Sequence, residues 1–289
     1  MTETKTKPVK LLSPKLDVVF QSVFGEVGDE KITKDFLESV FNKEIGEVKL
    51  DKNPILRREL EEDKMGILDV IVEVKGKENI NIEMQLLDKK DVIERILFYW
   101  SKLYIKEVKK GEKYKDIKRT VIILIADFEV KGLEEVGYHT KWKLIEEKER
   151  KIVLTEKAEI HIIELPKIKG REKEEGKLLD WLFFLENPES ERVKEKMEEN
   201  EGLKEAVKKV ERISEEEKMQ RIAELREKAL RDEASAYAAG QEDGEEKGKI
   251  EQKKEIAKEM LKEKMDINLI SKITKLSIEE IQKLKEETK

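Results

Sequence analysis

Two short runs separated by a few residues constrain this chain more than any other feature. Residues 66–74 (GILDVIVEV) and 79–86 (NINIEMQL) both alternate with the period of a β-strand. Leu68, Val70, Val72 and Val74 share one face of the first run, and Ile80, Ile82, Met84 and Leu86 share one face of the second. The opposite faces carry Asp69 on the first run and Glu83 with Gln85 on the second. Cross-strand partners in an antiparallel pair point to the same side, so paired residue numbers add to a constant. Asp69 shares a face with Glu83 and Gln85 only when that constant is even. A two-residue Gly76-Lys77 turn gives 153 and sets Asp69 beside Met84. A three- or five-residue loop centred on Lys77 gives 154, which pairs Ile71 with Glu83 and Asp69 with Gln85. The odd-length loop is predicted. Two carboxylates brought together there suit Mg²⁺, a hard cation often held by one or two carboxylates; Mn²⁺ is the alternative. Asp69 and Glu83 are the candidate metal ligands.

The rest of the composition narrows the function classes. The chain has 289 residues, enough for one sizeable domain with additional elements or for two domains. Charged residues make up 44% and apolar ones 38%, so the core must be concentrated in part of the chain. A net charge of -6 excludes a uniformly basic surface, though not a local basic patch. There is no cysteine, which excludes disulfides and thiolate metal sites. With only His139 and His161, a multi-histidine zinc centre is not expected, and both read as surface and sheet residues rather than catalysts. No apolar run approaches the roughly 18 residues of a membrane span, and the polar N-terminus has no signal-peptide pattern. No membrane association and a cytoplasmic location are the expectation.

Apolar periodicity is dense from about Leu11 to Leu185 and thin beyond. Ser13-Pro14 reads as an N-cap followed by proline at the first helical position, opening a helix through Phe24. A second helix is predicted from Asp29 to Phe41, a short strand after Gly46, and a long helix from Asp88 to Lys109. The β-branched run 120–126 reads as a central strand buried on both faces. A further strand over 158–165 and a helix ending at Leu185 complete the region. This order predicts an α/β fold with a mixed sheet and helices packed on it.

From Glu189 to about Lys264 the sequence reads as long, solvent-laced helices with i,i+4 charge pairs. Gly240, Gly244 and Gly248 recur every four residues, either as a stripe for close helix contact or as a flexible joint. Ser277-Ile278-Glu279-Glu280 matches a capping box opening a last short helix after one over 265–273. Two short helices with a tight turn invite a helix-turn-helix reading. The second, however, carries Glu279, Glu280 and Glu286 where a DNA-reading helix wants Arg, Asn or Gln. A small packing or homo-oligomerisation module is the other reading.

Ser13-Pro14-Lys15-Leu16-Asp17 with Phe20, Phe24 and Gly25, then Leu68-Asp69-Val70, then Asn81-Ile82-Glu83-Met84-Gln85, then Arg95, Tyr99 and Tyr104, resemble the Rpn family. Its members are the recombination-promoting nucleases, or PD-(D/E)XK nuclease family transposases. The resemblance covers roughly residues 10 to 186, and the charged tail with its terminal helix pair also resembles tails of that family. It implies a restriction-endonuclease-like αβββαβ core and metal-dependent DNA hydrolysis, with DNA as partner. It assigns Asp69 as the β-strand acid and Glu83 as the acid of the E-x-K position. Gln85 then stands where the wider superfamily has lysine, and Asp17 matches the acid of the family's N-terminal helix. Gln21 replaces a basic residue often found after the first helix's phenylalanine.

The expected catalytic set is therefore Asp69, Glu83, Gln85 and Asp17. On its helix Asp17 shares a face with Phe20 and Phe24, so its carboxylate needs a metal, Arg or backbone partner. Arg95, Tyr99 and Lys102 lie at i, i+4 and i+7 of the long helix and could meet DNA phosphates. A structural salt bridge with tyrosine packing is the alternative. The expected domains are a nuclease-like domain over 10–186, a charged helical extension over 187–250 and a small helical module over 251–289. The second functional class is a nuclease fold acting as a binding or assembly module through its tail.

Overall fold

The computed structural model describes residues 10–50, 70–106 and 113–287. Asp69 and Leu68 lie outside the described residues. Among the described residues, β1 (Val48–Leu50), β2 (Val70–Val74), β3 (Glu78–Gln85), β4 (Arg119–Ala126), β5 (His139–Lys143) and β6 (Ala158–Glu164) form one sheet. The strand order is β1-β2-β3-β4-β6-β5. β1, β2 and β3 are antiparallel neighbours, β4 lies parallel to β3 and β6, and β5 is an antiparallel edge. The helices are α1 (Asp17–Phe24), α2 (Glu30–Phe41), α3 (Val92–Lys106), α4 (Lys177–Glu186), α5 (Glu191–Lys196), α6 (Glu201–Glu215), α7 (Glu217–Lys262), α8 (Ile267–Thr274) and α9 (Ile278–Glu287). The predicted mixed sheet with flanking helices is the observed architecture, and among the described residues α2 through β4 run in the order αβββαβ. No helix of the described residues is long and apolar enough to cross a membrane.

The hairpin has the predicted parity. Val70 pairs with Ile82 and Val74 with Glu78, a constant of 152, around the three-residue loop Lys75-Gly76-Lys77. The loop is centred on Gly76 rather than Lys77, so Ile71 faces Asn81 and not Glu83. The cause is local. Lys75 and Gly76 have φ of 50° and 68°, as in the mirror-image turns whose twist matches a hairpin. The Lys77 amide closes this turn onto the Val74 carbonyl at 3.0 Å, leaving Lys77 as the extra residue.

Both faces of the sheet are covered. Val70, Val72, Ile80, Ile82, Ile123 and Ile125 are buried on one face. The helical layer on that side is built around Phe24, whose ring meets Phe20, Phe36 and Trp181 at centroid distances of 4.7, 5.2 and 5.6 Å. Asp35 ties three helices together by accepting from Trp181 Nε1 at 2.9 Å and Asn200 Nδ2 at 2.8 Å. On the other face, Val92, Ile96 and Tyr99 of α3 pack against Ile122, Leu124 and Ile162.

Three sequence expectations need correction. α1 begins at Asp17, because Ser13 to Leu16 form a turn in which the Leu16 amide donates to the Ser13 carbonyl at 3.1 Å. The edge strand β5 was not foreseen, since HTKWK carries little apolar signal and is held by pairing with β6. Finally, α6 is not solvent-laced. Leu203, Val207, Val210 and Ile213 form a buried stripe, and the helix packs on α2.

The chain divides into two compact units, Met1–Glu227 and Lys228–Lys289, with the division inside α7. In the second unit, Ala257 of α7 packs with Ile270, Leu276, Ile281 and Leu284. The capping box forms reciprocally: the Ser277 amide donates to Glu280 at 2.8 Å and the Glu280 amide to Ser277 Oγ at 3.2 Å. Gly240, Gly244 and Gly248 lie in continuous helix.

The face opposite α3 also buries a polar chain. His139 Nε2 lies 2.8 Å from His161 Nδ1, and His161 Nε2 lies 2.8 Å from Glu159 Oε1. Arg119 and Lys141 reach the same carboxylate at 2.7 and 3.1 Å, with Lys143 at 3.8 Å. The Phe41 ring packs edge-on against His161. Burial, then the neighbouring His161, lowers the His139 pKa to about 4. Burial lowers that of His161 as well, against the opposing hydrogen bond to Glu159. Burial would raise the Glu159 pKa, but the His161 hydrogen bond and the Arg119 charge hold it well below the carboxylate range.

Two outcomes are expected. The unfolded chain binds more protons than the folded one as pH falls from about 6.5 toward 4, because both histidines are depressed when folded. Stability is therefore complete above the ordinary histidine pKa and declines through that window, with the Glu159 contribution lost below the usual carboxylate range. Thermal melts across pH should show this decline, and His139→Gln should flatten it between pH 6.5 and 4. At Gly202 an added Cβ would sit 2.5 Å from the Asp35 Cβ, so α6 approaches α2 only because no side chain intervenes. Gly202→Val should lower stability by about 1–3 kcal/mol in denaturant titration.

Candidate active site

The face of β3 that α3 covers carries Asn79, Asn81, Glu83 and Gln85, because side chains alternate along a strand. Polar residues on a sheet face usually mark solvent. Here Glu83 is only 1% exposed and Asn81 0%. The amphipathic spacing of α3 seals them: its apolar stripe faces β4, and Arg95 and Tyr99 follow on the same side one turn apart.

A buried carboxylate needs hydrogen bonds or a counter-charge. Gln85 Nε2 donates to Glu83 Oε1 at 2.8 Å, and Asn81 Nδ2 approaches Oε2 at 3.5 Å. Arg95 Nη2 stands 3.7 Å from Glu83 Oε1, while Nη1 donates to Gln85 Oε1 and Nη2 to the Tyr99 hydroxyl, each at 3.4 Å. Four of the seven sequence-derived site residues, Glu83, Gln85, Arg95 and Tyr99, thus meet in one cluster. Tyr99 is buried, so its reach is to Arg95 rather than to the surface.

The other three are placed differently. Asp69 is outside the described residues. Asp17 sits in the first turn of α1, half exposed, and pairs with Arg226 at 2.9 Å while accepting from the Val18 amide. Lys102 lies over the Phe98 ring at 5.4 Å. Beside the cluster, Lys15 bridges Asp127 and Glu186 at 2.9 and 3.0 Å. The Asp127 amide donates to the Gln85 carbonyl, so this clamp holds the end of β4 against the end of β3.

The donor set can be tested against a divalent cation. Among the described residues no group of three His, Cys, Asp or Glu is arranged to hold a metal. What the cluster offers is oxygen: the Glu83 carboxylate and the Asn81 Oδ1, a buried acceptor with no hydrogen-bond partner. Oxygen donors without thiolate or imidazole fit a hard cation such as Mg²⁺ or Mn²⁺. Asn81 was missed in the sequence because asparagine on a strand reads as a solvent-facing residue. A groove lined by Ile93, Leu97, Trp100, Trp142 and Leu144, and also by Lys143 and Glu159, opens along α3.

Arg95 and Glu83 should prove energetically coupled. Arg95→Ala should cost about 1–3 kcal/mol of stability, since it strips counter-charge from a buried carboxylate. Glu83→Gln in the same chain should recover most of that loss, read as a double-mutant cycle by denaturant unfolding.

Comparison with known proteins gives the family of the chain. Residues 14–240 match the family model described as PD-(D/E)XK nuclease family transposase. Residues 251–286 match the Rpn/YhgA-like nuclease family, C-terminal HTH domain. No curated protein and no solved structure gives a significant match. With the first match spanning most of its length, the chain belongs to the PD-(D/E)XK nuclease family transposases.

Proposed function

We propose that this protein is a metal-dependent DNA endonuclease that hydrolyses phosphodiester bonds at the Glu83 cluster. The observation that carries the reading is the meeting of Glu83, Gln85 and Arg95 on one buried strand face. Glu83 is the proposed ligand with Asp69, which lies outside the described residues. A cation bound there supplies an acidified water and neutralises charge on the attacked phosphate.

The chain's own residues supply the rest. Gln85 cannot contribute the charge of a lysine, but its amide orients the Glu83 carboxylate and can hydrogen-bond a water or phosphate oxygen. Arg95 holds its guanidinium beside both groups through long contacts of 3.4 and 3.7 Å, positioned to meet a phosphate. Tyr99 orients Arg95, and Lys102 extends the basic edge of α3 toward the DNA backbone. Asp17, engaged by Arg226, serves the structure rather than the reaction in this reading. The biological setting is recombination, mobile-element activity or defence against foreign DNA.

A second reading has one observation in its favour. Gly240, Gly244 and Gly248 have open space where a Cβ would stand, so α7 presents a bare stripe for another helix. The protein would then act as an assembly module through its tail, in a homo-oligomer.

Supercoiled plasmid with Mg²⁺ or Mn²⁺ decides between them. The nuclease reading expects nicking that EDTA abolishes and that Glu83→Ala lowers by at least about a hundredfold. Equal nicking by wild type and Glu83→Ala, or none with either metal, would sink it.

A further inference from the structure

We propose that Asn81 is a further oxygen ligand of the divalent cation taken by the Glu83 site, an inference that rests on the cation reading above. One long contact from Nδ2 to Glu83 accounts for only half of the amide at this position. Asn81 lies on β3 between Ile71 of β2 and Ile122 of β4, where a β-branched apolar residue would suit both strand preference and burial. It is fully buried, yet its Oδ1 has no donor among the described residues. With one end unpartnered, the buried amide can take either of two orientations, and the group bound beside it selects one.

The geometry says which. Asn81 Nδ2 stands 3.5 Å from Glu83 Oε2, at the outer limit of a hydrogen bond. A half-turn of the amide about its terminal torsion exchanges Nδ2 and Oδ1. The carbonyl oxygen then occupies a position about 3.5 Å from the carboxylate oxygen. Two oxygens on adjacent corners of an octahedral cation with bonds of about 2.1 Å lie roughly 3 Å apart. The same side chain can therefore donate to Glu83 when the site is free of cation and accept the cation when it is filled. Alternation along β3 aims Asn81, Glu83 and Gln85 into the same space, so no backbone movement is required.

A purely structural amide would behave differently from a ligand when replaced. If Asn81 only supported the fold, Asn81→Leu would melt at lower temperature. As a ligand carrying an unsatisfied carbonyl, its loss leaves the cation-free fold as stable or more stable, and weakens cation binding.

The test is a Mn²⁺ titration of the full chain without nucleic acid, with free Mn²⁺ followed by electron paramagnetic resonance, alongside metal-free thermal melts. Wild type, Asn81→Leu, Asn81→Asp and Glu83→Ala are compared. The proposal expects Glu83→Ala to abolish binding and Asn81→Leu to weaken it at least about tenfold with an unchanged or raised melting temperature. Asn81→Asp, which keeps an oxygen at the same place, should retain binding. Wild-type affinity in Asn81→Leu, with binding lost in Glu83→Ala, overturns the role of Asn81 and leaves the cation site standing. Absence of Mn²⁺ binding by wild type overturns both. Should Asn81→Leu melt early, Asn81→Asp decides: retained affinity supports the proposal and a tenfold loss overturns it.

Discussion

The Glu83 carboxylate lies under α3 on the central region of the sheet, and a charge in that position costs several kcal/mol unless neighbours compensate it. Much of the local architecture answers this demand. β3 contributes Gln85 and Asn81 from the same face, and α3 contributes Arg95 with Tyr99 behind it. Arg95 is where it is because Val92, Ile96 and Tyr99 lock α3 onto β4. Hydrophobic packing thus sets the position of the Arg95 guanidinium, and the clamp of Lys15 with Asp127 and Glu186 fixes the strand ends beside it.

The sheet buries a second carboxylate on its opposite face, and the contrast is instructive. Glu159 is gripped at 2.7 and 3.1 Å by Arg119 and Lys141 and at 2.8 Å by His161. Arg95 stays 3.7 Å from Glu83 and makes its other contacts at 3.4 Å. Short, multiple charge-assisted bonds of the first kind rigidify a fold. The longer contacts of the second hold their guanidinium less tightly.

Much of the fold was legible because its signals are local. Alternation identified β2 and β3, the β-branched run identified β4, and the parity argument required an odd hairpin loop, which is present. The precise centre of that loop was not legible, because it depends on the positive φ of Lys75 and Gly76. β5 was missed because an edge strand with one face toward solvent needs no apolar pattern. α6 carried a readable stripe at Leu203, Val207 and Val210, hidden by the high charge density around it. The terminal capping box was read directly from Ser277 and Glu280, since capping involves residues three apart.

By itself the sequence determined which residues alternate, where helices and the capping box form, and that Glu83, Gln85, Arg95 and Tyr99 carry the polar chemistry of their elements. These follow from spacing along the chain and from side-chain type. Only the tertiary structure decided that α3 closes over β3, turning a polar strand face into a buried cluster. Only there does Asn81 keep an unpartnered buried oxygen and His161 become a link in a buried polar chain. Burial and partner geometry arise between segments far apart in sequence, and no local pattern encodes which face a distant helix will cover.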